Sequence, residues 1–74
     1  GDSMFQSFVV TTGAGDRNKR DLAQAVDETV NSFIASEGAE LKDLRVEANV
    51  ESGGFGSAFV TVFYEEGEKK KKKK

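Results

Sequence analysis

The residues best suited to chemistry lie between Thr11 and Arg20, in the run TTGAGDRNKR. A strand ends there, glycines turn the chain, and a helix begins. Free N–H groups at a helix N-terminus attract anions. Gly13 and Gly15 supply the turn, and Arg17, Lys19 and Arg20 add positive charge. The pattern points to a site for a phosphate-bearing molecule. Two features oppose that reading. Asp16 is well placed to cap the same N–H groups, and the run lacks both the P-loop pattern and the G-x-G-x-x-G spacing. An ordinary strand-to-helix loop is the competing interpretation.

Elsewhere the side chains of catalysis are missing. The chain has no His and no Cys. That removes Ser-His and Cys-His nucleophile systems and the usual zinc sites. Its carboxylates are scattered: Asp27 and Glu28 on the outer face of a helix, and Glu65, Glu66 and Glu68 near the end of the chain. An acid–base pair needs a cleft that drives two pKa values apart, and nothing in the pattern promises one. The expectation is a protein without catalytic residues, metal ligands or cofactor. Tyr64 and the phenylalanines could stack on a flat ligand, but packing is their ordinary use.

The elements that would hold these residues are few. Asp16 to Glu37 has helical spacing, with Leu22, Val26, Val30, Phe33 and Ile34 in one apolar stripe. Asp16 is the expected N-cap and Gly38 the expected end. Met4 to Thr12 reads as a strand, with Phe8 and Val10 on one side and Phe5 and Val9 on the other. Glu37 to Lys42 reads as a short turn from which Leu41 reaches back to the core. Asp43 to Glu51 is the clearest strand, with Leu44, Val46, Ala48 and Val50 alternating strictly with polar residues. Ser52-Gly53-Gly54 is a hairpin turn, and Phe55 to Tyr64 a third strand in which Gly56 marks a bulge or a close backbone approach.

The order β-α-β-β predicts an α+β fold. A strand–helix–strand crossover makes the first two strands parallel and right-handed. The third is apolar on both faces, with Phe59 and Phe63 on one and Val60, Val62 and Tyr64 on the other. Such a strand belongs mid-sheet, so the expected order is 1-3-2 with the helix on one face. One helix covers one face. The other face of the third strand is then an exposed apolar patch, and Val60, Val62, Tyr64, Phe59 and Phe63 are its candidate interface residues, in whichever register holds.

Composition bounds the rest. At 74 residues there is one domain at most, with a marginal core and no disulfide to help it. Residues 1–3 read as a cloning remnant, 4–66 as the β-α-β-β domain, and 67–74 as a disordered Lys-rich tail. The formal charge of −2 hides an asymmetry. Eleven basic residues include the six of Lys69 to Lys74, and without those six, five remain against thirteen acidic ones, a net of −8. An acidic body argues against sequence-specific nucleic-acid binding, and leaves at most weak polyanion binding by the tail. There is no apolar run long enough for a membrane span and no signal-peptide core, so a soluble, cytoplasmic protein is expected.

With the elements placed, the runs Val30-Asn31-Ser32-Phe33-Ile34, Leu41-Lys42-Asp43-Leu44 and Ser57-Ala58-Phe59-Val60 resemble a family of very small sporulation-associated proteins of spore-forming bacteria. That resemblance spans most of Met4 to Tyr64, departs from the family around Gly13 to Lys19, and implies no activity. The element order is also similar to that of dodecins, β-α-β-β flavin-storage proteins that assemble as dodecamers. Dodecins stack flavin on a Trp of the second strand. This chain has no Trp, and its nearest equivalent is Val46. The combined expectation is a non-catalytic interaction module, acting as a homo-oligomer or docking on a partner protein. The alternative is a binder of a nucleotide-like or flavin-like molecule at Gly13 to Arg20 or at a subunit interface.

Overall fold

A computed structural model describes residues 3–15, 17 and 19–66. The expected Lys-rich tail and the expected cap Asp16 lie outside those residues. The elements are β1 (Ser3–Thr12), α1 (Leu22–Glu37), β2 (Ala39–Val50), a single turn at Ser52–Gly54, and β3 (Gly56–Glu66). The sheet order is β1-β3-β2, with β3 antiparallel to both neighbours. The fold is therefore α+β, and the doubly apolar strand sits in the middle as expected.

The helix starts later than the sequence suggested. Asp21, not Asp16, is the N-cap. Its backbone is extended (φ −82, ψ 175), and its carboxylate accepts the Gln24 N–H at 2.9 Å. The reason is energetic. Winding a turn costs backbone entropy, and residues 17–20 have no apolar side chain whose burial would offset it. The first residue that can bury itself is Leu22, and the helix begins there. The end falls where expected, at Gly38, whose left-handed φ of 60 favours glycine and whose N–H donates to the Ala35 carbonyl at 3.2 Å.

β2 begins directly after Gly38, earlier than the expected Asp43. The extra length is accommodated by a bulge. Leu41 pairs with Tyr64 and Asp43 with Phe63, so Lys42 is the unpaired residue. The bulge has a packing consequence. Leu41 and Leu44 are three apart and would point to opposite faces of a regular strand, yet here both lie on the helix side. At the other end of the hairpin, Gly53 and Gly54 take φ of 86 and 83, which β-carbons disfavour. Gly56 marks a close approach. A Cβ there would run into the Asn49 carbonyl oxygen across the ladder.

The core lies between α1 and β3. Ala58, Val60, Val62 and Tyr64 of β3 pack against Leu22, Ala25 and Val30 of α1 and Val10 of β1. Val60 and Val62 are 0% exposed. Phe33 of α1 stands edge-on between Phe8 (5.3 Å) and Tyr64 (5.0 Å), fixing the helix over the β1–β3 half of the sheet. Val60, Val62 and Tyr64 were candidate interface residues. They belong instead to the interior, because the hairpin register turns them toward the helix. Phe59 and Phe63 take the outer face.

Two substitutions test this core. Val30→Asp places an unpaired charge at a buried position of the one helix. A loss of several kcal/mol is expected, comparable to the whole stability of so small a domain, and read as loss of the cooperative thermal transition. Gly56→Ala should cost about 2 kcal/mol or more, seen as a lower urea midpoint, because the new methyl meets backbone rather than a side chain that can move.

Candidate functional site

The five residues singled out for anion binding do not assemble at a helix N-terminus. Gly13, Gly15, Arg17, Lys19 and Arg20 all precede the cap, and α1 begins only at Leu22. The N–H that an anion would seek is taken by the Asp21 carboxylate. Arg20 turns back along the helix instead, donating from Nη1 to Glu28 Oε1 at 2.8 Å, and Gln24 Nε2 donates to the other oxygen of the same carboxylate at 3.3 Å. Arg17 and Lys19 are exposed in the loop. A Cβ at Gly13 or Gly15 would meet nothing within 4 Å, so neither glycine is required for a close approach.

Two apolar surfaces remain, on opposite sides of the sheet. The first is the face that no helix covers. Phe5 stands directly opposite Phe63 and Val9 opposite Phe59 across the β1–β3 ladder. The Phe5 and Phe63 rings are 6.1 Å apart, and the Ser7 and Thr61 hydroxyls between the two pairs are hydrogen-bonded at 3.1 Å. Phe5, Val9 and Phe59 are 67%, 73% and 50% exposed. On the β2 side of the same face the register places Asp43, Arg45 and Glu47 in a row beside these aromatics. One half of the face is apolar, and the other carries charges of both signs.

The second surface is a groove of about 510 Å3 between α1 and β2. Leu22, Val26 and Val30 form its wall, and Leu41, Leu44, Val46, Ala48 and Val50 its floor. Asp21, Asp27 and Asn31 supply the polar part of its lining, and no Lys or Arg among the described residues lines it. The floor is not closed over. Leu44, Val46 and Val50 are 39%, 45% and 61% exposed although their side chains are on the helix side of the sheet.

Sequence reasoning missed this groove. The expectation of one helix covering one face of the sheet assumed that the helix reaches the apolar row of the second strand. A comparison of widths would have found it. A helix with its side chains is about 10–12 Å across, and strands are about 4.8 Å apart, so one helix covers about two strands and leaves a third bare.

Among the described residues no group of three acidic side chains converges as a metal site, and no helix is long and apolar enough to cross a membrane. No family model, no curated protein and no solved structure matches the chain, and nothing in those comparisons bears on the two resemblances.

The cap is testable by itself. Asp21→Ala should lower stability by about 1 kcal/mol in urea unfolding, the usual cost of losing an N-cap.

Proposed function

We propose that this chain is a non-catalytic assembly module that works as a homo-oligomer, with two copies packing through the uncovered faces of their sheets. One observation carries the reading: Phe5 with Phe63 and Val9 with Phe59 form two cross-strand apolar pairs, on either side of the Ser7–Thr61 pair, on a face that none of the described residues covers. At roughly 25 cal/mol per Å2 of apolar surface, several such side chains left in water forfeit several kcal/mol, a large share of what a domain this small has. Sheets pack face to face about 10 Å apart, the thickness that interdigitated side chains of this size fill.

The polar half of the face suits a second copy. A two-fold axis brings each surface patch against itself, so a patch with charges of one sign would repel its mate. The β2 row carries Arg45 between Asp43 and Glu47, and a two-fold image displaced by one same-face position along the row sets each Arg45 against a carboxylate. The chain has no His and no Cys, so it holds no Ser-His or Cys-His nucleophile system and no usual zinc ligand set.

The molar mass in solution decides. The parent protein should sediment as a dimer or larger assembly, with a melting temperature that rises with protein concentration. Val9→Lys with Phe59→Lys changes two side chains already exposed in the protomer. The double variant should therefore stay folded, sediment as a monomer, and lose the concentration dependence. A parent that sediments as a monomer at hundreds of micromolar removes the proposal.

A further inference from the structure

The groove between α1 and β2 is a second apolar surface, on the other side of the sheet from the proposed assembly face. Its shape restricts what can fill it. The wall is the flank of a helix and the floor is one strand wide, so the empty volume lies where a second helix would lie beside the first. Helices packed on a sheet sit about 8–10 Å apart, and α1 covers only two of the three strands. The wall residues between Asp21 and Asn31 extend about 15 Å along α1, roughly three helical turns. An extended peptide lying in the groove, off the open edge of β2, would bring unpaired N–H and C=O groups against Val26, Val30 and Val46, whereas a helix satisfies its own backbone.

Charge selects among helices. Among the described residues the groove is lined by Asp21 and Asp27 and by no basic residue. Outside the six terminal lysines the chain has five basic residues against thirteen acidic ones. A second copy of α1 would bring the same acids to the same rim. The run Lys69 to Lys74 has the right sign but no apolar side chain to place on the floor. We propose that the α1–β2 groove is a docking site for a basic amphipathic α-helix of a partner protein, with its apolar stripe on Leu44, Val46 and Val50 and its Lys or Arg residues against Asp21 and Asp27. This is helix-in-groove recognition, in which the groove supplies the apolar contact and the rim sets the sign of the partner.

The test uses the full chain and two fluorescein-labelled synthetic peptides of about 18 residues, long enough for the groove. Both carry Leu at helical spacing. One has Lys at its remaining positions and the other Glu. In fluorescence anisotropy the Lys peptide should bind at least about tenfold more tightly than the Glu peptide. Val46→Lys and Phe59→Lys make the same change in net charge, one in the groove and one on the opposite face. Val46→Lys should weaken the Lys peptide about tenfold or more and Phe59→Lys less than about twofold, whatever Phe59→Lys does to the oligomeric state. Asp27→Asn, on the exposed side of α1, should weaken it severalfold and provides the test if Val46→Lys does not fold. Equal binding of the two peptides overturns the proposal. So does an equal loss in the two Lys variants, since net charge alone would then be acting, or full binding by Asp27→Asn. A fall in the molar mass of the unliganded protein on Val46→Lys overturns it as well, because a second copy would then hold the groove.

Discussion

A helix about 10 Å wide cannot roof three strands that are each about 4.8 Å from the next. With one helix to place, the chain must leave part of its sheet uncovered. Phe33, wedged between Phe8 and Tyr64, decides which part by holding α1 over β1 and β3. The rest of the surface follows from that position. β3 gains the fully buried Val60 and Val62, β1 gains a covered half, and the apolar row of β2 is left without a roof. None of the described residues roofs the reverse of the sheet. A larger domain would spend a second helix on each gap.

The interior gained in this way is small. Among the described residues eight hydrophobic side chains are buried, and β2 adds none of them. β2 is held chiefly by its hydrogen-bonded ladder to β3 and by the tight turn at Gly53 and Gly54. Its edge presents unpaired backbone groups on one side and apolar side chains above. This places β2 at the weak end of the local stabilities, where opening and exchange of backbone hydrogens should be easiest. Occupation of either apolar surface would therefore stabilise the fold itself, since anything that binds only the native state does so.

Much of this was legible in the residues. The central place of β3 follows from its being apolar on both faces, and the helix and its Gly38 terminus follow from spacing and from glycine's tolerance of left-handed backbone. What failed were choices between equivalent residues. Asp16 and Asp21 are equally good caps by type, and only the need to bury Leu22 without winding a bare polar turn separates them. The hairpin pattern fixed that Val60 and Phe59 face opposite ways but not which of them meets the helix. Leu41 looked displaced from the alternation of β2 because a bulge at Lys42 restores it, and a bulge leaves little trace in a polar pair of residues. The phosphate reading of Gly13 to Arg20 presumed a helix that starts several residues earlier than it does.

The placement of β3 also governs how the chain comes together as it is made. β1 and β2 do not pair with each other, and the strand that joins them is synthesised after both. A growing polypeptide that has reached Val50 holds two strands and a helix with no sheet to form. Phe5, Phe8, Val9 and Val10 stay unpaired until their partners Phe63, Val60, Phe59 and Ala58 appear most of the chain later. Such long-range closure is slow beside the local β2–β3 hairpin. In the interval a finished hairpin on one molecule offers β3 an open flank, and the waiting β1 of any neighbouring molecule matches it as well as its own does. Strand exchange between chains is thus the misfolding route that this topology leaves open, and dilution during refolding is the condition that closes it.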